Sequence, residues 1–91
     1  MTKSRYTGDH SKFKSVLEAE YTWPADYMFK FIVPKDSVPK VEAMFPHHPI
    51  SFRNSRNGNY ISATITIRAD SADLIIAIYE KASHIKGLIA L

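Results

Sequence analysis

The chain of 91 residues contains no cysteine. A disulfide framework and a thiolate metal site are therefore excluded, and nothing in the sequence calls for an oxidising compartment. Glycine is also scarce, at Gly8, Gly58 and Gly87 only. No glycine-rich loop is present to cradle a phosphate, and G-x-S-x-G is absent. Long apolar runs are missing as well: no window approaches the roughly 18 apolar residues of a membrane span. The N-terminal stretch has basic residues with no apolar segment behind them. A soluble protein of the cytoplasm, with no membrane partner, is the expectation.

Acidic residues are few near the start. Lys3, Arg5, Lys12 and Lys14 face only Asp9, which accounts for the formal net charge of +3. From residue 15 onward eight basic residues balance eight acidic ones. The excess charge belongs to a solvated leader and the body is neutral, so the basicity does not by itself point to nucleic acid. Residues 1–20 are expected to form a flexible leader holding one short helix over 11–20, capped by Ser11 with Phe13, Val16 and Leu17 on its apolar stripe. Residues 21–91 form the single domain that a chain this short supports.

Within that domain, Tyr27–Val33 is aromatic and β-branched between Pro24 and Pro34, which predicts a strand with Tyr27, Phe29, Phe31 and Val33 on one face. Asp36 or Ser37 caps a helix with Pro39 in its first turn and Val38, Val41, Met44 and Phe45 on one side; Pro46 and Pro49 end it. Ile50–Ala69 reads as a hairpin turning on Asn57-Gly58 in a type I′ turn. Pairing Arg56 with Asn59 sets Ile50 and Phe52 opposite Ile65 and Ala63, with Ile61 and Ile67 on the same face. Asp70 or Ser71 begins the strongest helix, whose stripe is Leu74, Ile75, Ile78, Tyr79, Ala82 and Ile85. After Gly87, Leu88–Leu91 is long enough for a terminal strand beside the first.

The order strand, helix, strand, strand, helix, strand predicts a ferredoxin-like βαββαβ fold. This is a two-layer α/β (α+β) sandwich with a four-stranded antiparallel sheet of order 4-1-3-2 and two helices on one face, plus the short N-terminal helix. The other face is left open. It is expected to carry Lys30, Arg53, Tyr60, Ser62, Thr64, Thr66 and Arg68 beside an apolar side of Met28, Ile32 and either Ile89 or Leu88.

Three stretches carry a resemblance. They are TWPADYMFKFIVP from Thr22, NGNYISATITI from Asn57, and Ile78-Tyr79-Glu80. Together they resemble the YbeD-like family of uncharacterised bacterial proteins over residues 22–91. The resemblance implies a sandwich similar to ACT-type regulatory domains, which bind small effectors at domain interfaces, and it implies no activity. The first helix and its link to the hairpin are shorter here than in that pattern, in the region where ACT-type effector sites usually form.

The chemistry-bearing residues point away from catalysis. His47-His48 lacks a third ligand at fixed spacing from His10 or His84, so no metal and no cofactor are expected. Acylphosphatases share the topology and place an arginine-bearing anion loop after the first strand, but here that loop is Pro34-Lys35-Asp36-Ser37. RNA-recognition domains stack bases on outward aromatic rings of the central strands. Here serine and threonine occupy those places, with Tyr60 at one end. Trp23-Pro24 reads as a plug at the end of the core.

The leading expectation is a non-catalytic interaction or regulatory module that self-associates, most simply as a dimer, or meets a protein partner through Met28, Ile32 and Ile89. The alternative is an ACT-like sensor of a small anionic metabolite that uses Lys30, Arg53, Arg56, Tyr60, Ser62 and Arg68. An RNA-binding module ranks below both.

Overall fold

The computed structural model describes residues 10–91, so the first nine residues of the flexible leader expected over 1–20 lie outside the described residues. The elements are α1 (His10–Glu20), β1 (Ala25–Pro34), α2 (Val38–Met44), β2 (Ser51–Asn54), β3 (Tyr60–Ala69), α3 (Ala72–Ala82) and β4 (Ile89–Ala90). One turn of 3-10 helix, Lys35–Ser37, leads into α2. The sheet is antiparallel with order β2-β3-β1-β4, which is the expected 4-1-3-2 read from the other edge. The result is a small α+β fold, ferredoxin-like in outline.

Alternation along the two central strands builds the core. Tyr27, Phe29, Phe31 and Val33 of β1 are buried, as are Ile61, Ala63, Ile65, Ile67 and Ala69 of β3. The two strands pair along their full length, from Ala25 opposite Ala69 to Pro34 opposite Tyr60. Because side chains on a strand alternate in direction, this register sends every second residue of both strands into one layer. Rings dominate that layer: Phe29 lies edge-on to Tyr27 at 4.9 Å and to Tyr79 of α3 at 5.0 Å.

The hairpin register is the expected one, with Phe52 opposite Ala63 and Arg53 opposite Ser62. The turn is not type I′. Such a turn needs positive φ at both central residues, and among the described residues only Gly58 (φ 77°) and Gly87 (φ 81°) have it. Instead the Ser55 carbonyl accepts from Gly58 N at 3.1 Å, and Ser55 N donates to the Tyr60 carbonyl at 2.9 Å. Asn57 Oδ1 accepts from Ser55 Oγ and from Asn59 N. Polar side chains close the loop, so Asn57 need not enter the left-handed region.

The helices depart from expectation in their buried sides and caps. In α3, Ser71 is the N-cap and accepts from Leu74 N at 3.4 Å. Its buried side is Ala72, Ile75, Ile76, Tyr79 and Ala82, while Leu74 is 39% exposed, so the buried side is rotated away from Leu74 toward Ile76. In α1, Phe13 and Leu17 are buried but Val16 is 44% exposed. Ser11 lies inside this helix, where its carbonyl accepts from Ser15 Oγ, instead of capping it. At α2, Ser37 is the N-cap by backbone position and makes no side-chain capping bond.

α1 packs on α3, with Phe13 edge-on to Tyr79 at 5.6 Å. Lys14 Nζ lies 3.1 Å from Asp73 Oδ1 across the same contact. The hydrogen bond to Asp73, together with the charge of that carboxylate, raises the Lys14 pKa above its ordinary value. Trp23 is half-buried, packs against the core and lies tilted at 5.7 Å from Tyr21, consistent with a plug. No helix among the described residues is long and apolar enough to cross a membrane.

Candidate interaction surface

With the helices on one side, the other face of the sheet is open, and the pairing sorts it into rows. Asp26 of β1 stands opposite Arg68, Met28 opposite Thr66, and Lys30 opposite Thr64, which in turn faces Ser51 of β2. The next row runs across all four strands as Ile89, Ile32, Ser62 and Arg53. Ile89 is therefore the β4 residue on the open face, while Leu88 packs against the core.

The face is divided lengthwise. Its β1–β4 side is mostly apolar, interrupted by Lys30: Met28 is 57% exposed, Ile32 and Ile89 are half-buried, and Leu91 is exposed. Leu91 is held there by its N–H, which donates to the Lys30 carbonyl at 2.8 Å. Tyr21, Met28, Lys30 and Leu91 line a shallow concavity of about 540 Å³. The β3–β2 side is hydroxylic and basic, with Ser62, Thr64, Thr66 and Arg53.

The residues expected to meet an anion do not gather at one point. Arg53 and Ser62 are directly opposed. Tyr60 is the next outward residue of β3, and Arg56 lies in the adjoining turn. Lys30 stands two strands and two residues away from Arg53, about 12 Å by strand spacing and rise. Arg68 is six residues beyond Ser62 on the same strand, about 20 Å away, and its Nη1 lies 3.3 Å from Asp26 Oδ1. One small anion cannot span from Arg53 to Arg68.

His47 and His48 are exposed in the loop that ends α2, where His48 N donates to the Phe45 carbonyl at 3.3 Å. No group of three potential metal ligands occurs among the described residues.

A second concavity, of about 300 Å³, lies on the helix side, lined by Glu42, Phe45, Pro46, His48, Ile50 and Phe52. Ile50 and Phe52 lie on this side, the face expected for them, but are less covered than Ile61 and Ile67. Phe52 is 39% exposed, because α2 ends at Met44 and does not reach over the edge strand. The signal was available in Pro39 and Pro46, which limit that helix to seven residues.

Fold and surfaces together define a small α+β domain whose distinctive features are two partly apolar surfaces. A family model described as "Protein of unknown function (DUF493)" matches residues 18–90, and the chain belongs to that family. This agrees with the YbeD-like resemblance carried by Thr22–Pro34 and the hairpin. The comparisons with curated proteins and with solved structures yield no match.

Proposed function

We propose that this protein is a non-catalytic interaction or regulatory module that associates with a second copy through the apolar side of its open sheet face. The observation that carries this reading is the exposure of Met28, a large apolar side chain on the open face that Ile32 and Ile89 share farther along the same side of the sheet. Apolar surface grouped in this way favours burial against a partner, and a symmetric pair is the simplest arrangement in which one patch covers another like it. Light scattering over a concentration series tests the reading. The mass should rise toward that of a dimer, and Met28→Glu should hold the protein monomeric without lowering its melting temperature. A mass that stays monomeric at every concentration overturns it.

A second reading, an ACT-like sensor of a small anionic metabolite, is supported by Arg53 standing directly opposite Ser62, with Tyr60 and Arg56 at the same end of the hairpin. A thermal-shift screen against anionic metabolites at fixed salt discriminates the two. A ligand at about 100 times its dissociation constant adds roughly 2.7 kcal/mol. Arg53→Ala should abolish such a shift, whereas Arg68→Ala, at the far end of β3, should leave it.

A further inference from the structure

The outer edge of β2 offers three features in one place. First, β2 is an edge strand, paired only with β3 among the described residues. Inward and outward bonding alternate along an antiparallel pair. Because Ser55 bonds inward to Tyr60, Arg53 and Ser51 bond inward too, and Phe52 and Asn54 turn their N–H and C=O groups outward. Second, a concavity lies on the helix side of this edge, with Phe45, Pro46, Ile50 and Phe52 in its lining together with Glu42 and His48. Third, the sequence has no acidic residue between Glu42 and Asp70, a stretch that carries Arg53, Arg56 and Arg68. Arg68 is paired with Asp26, whereas Arg53 and Arg56 are exposed and form no ion pair among the described residues.

We propose that the β2 edge is a docking site for an extended segment of another protein in which acidic and apolar residues alternate. Such a segment adds as a fifth strand by exchanging main-chain hydrogen bonds with Phe52. The residue opposite Phe52 points to the same side as Phe52 and enters the concavity, where Glu42 in its lining disfavours a carboxylate. Its two neighbours point to the open face beside Ser51 and Arg53, where a carboxylate meets the Arg53 guanidinium in a charge-assisted bond. The alternation demanded of the partner is thus acidic, apolar, acidic. A second copy of β2 fits less well, since Ser51–Asn54 brings no carboxylate to Arg53. This edge is separate from the Met28 patch, so the two assignments stand or fall independently.

Fluorescence anisotropy with a labelled heptapeptide of alternating Glu and Val, against the same peptide with Lys for Glu, tests the proposal. The Glu peptide should bind and the Lys peptide should not. Arg53→Glu should weaken binding tenfold or more, and raising the salt should weaken it in the wild-type protein. Asn54→Pro removes an outward N–H while leaving the bonds to β3 intact, as proline is tolerated on the free side of an edge strand. It should abolish binding at an unchanged melting temperature, and Met28→Glu should leave binding intact. Should the proline variant fail to fold, Arg53→Glu carries the test, since Arg53 is exposed. The proposal is overturned by absence of binding at millimolar peptide, by equal binding of the Lys peptide, or by insensitivity to Arg53→Glu. Self-association abolished by Asn54→Pro, with no peptide binding to the wild type, overturns it in favour of a second copy at this edge.

Discussion

The hydroxyls of Tyr27, near the start of β1, and Tyr79, in the last turns of α3, meet at 2.9 Å inside the core, and either oxygen can be the donor. Each ring also packs edge-on against Phe29. Tyr27→Phe and Tyr79→Phe keep the rings and each remove this bond. Each should cost about 1 kcal/mol, the usual net worth of an internal hydrogen bond, and lower the melting temperature by roughly 4–8 °C in a domain of this size. Urea unfolding of both single variants and the double variant checks it. The double variant should lose less than the sum of the two singles, because the shared bond is lost only once.

The two positive-φ glycines should respond differently to alanine. At Gly58 a Cβ meets nothing within 4 Å, so Gly58→Ala pays only for the backbone conformation, about 1–2 kcal/mol. At Gly87 the same atom would lie 2.8 Å from Pro34 Cγ and 3.2 Å from its Cδ. Proline's ring is stiff and cannot swing aside, so β4 must shift to relieve the contact. Gly87→Ala should therefore cost at least about 1 kcal/mol more than Gly58→Ala. Equal losses on denaturation would contradict this account of the β1–β4 junction.

Trp23 supplies apolar area: its Nε1 is buried with no acceptor in reach among the described residues. Trp23→Phe should stay within about 1.5 kcal/mol of the wild type, whereas Trp23→Ala should lose about 2–4 kcal/mol, as a half-buried aromatic truncation does. Calorimetry on both variants separates the contributions of ring and N–H. A Trp23→Phe loss as large as that of Trp23→Ala would mean that the indole N–H matters after all.

The Lys14–Asp73 contact sets a small alkaline dependence. Its lysine pKa is raised in the folded chain, so the contribution is fully present below the ordinary value of 10.5 and is lost as pH rises through the raised one. Lys14→Met should narrow the fall in melting temperature between about pH 9 and pH 12 relative to the wild type. Salt should erase the difference, because both side chains are exposed. Identical alkaline profiles for wild type and variant would show that the pair contributes nothing to holding α1 on α3.

The sheet was legible in the sequence because period-two alternation is strict where a strand has one dry face. Tyr27, Phe29, Phe31 and Val33 could face only one way, and the hairpin's two arms had to agree. Helices are less exacting. The apolar residues of α3 spread from Leu74 round to Ile76 over more than half of its circumference, and Val16 and Leu17 of α1 are neighbours, so packing against other elements decides which are buried. The Asn57-Gly58 signal located the turn but not its type, which Ser55 and Asn57 fix through side-chain bonds. The exposure of Phe52 depends on how far α2 extends over the sheet: Pro39 and Pro46 bound the length of that helix, whereas its placement over the strands is a three-dimensional matter.

The β1–β3 ladder also governs how the chain must assemble. Ala25 finds Ala69, and Pro34 finds Tyr60, only after the whole intervening segment with α2 and β2 has been looped out. Closing that loop costs entropy before the ladder returns any. The hairpin from Ser51 to Ala69 is local and can form first, giving β1 a template on which to zip. The two-residue β4 and the peripheral α1 add contacts after that step. Substitutions within the ladder therefore act mainly on the rate of folding, and those in α1 or β4 on the rate of unfolding.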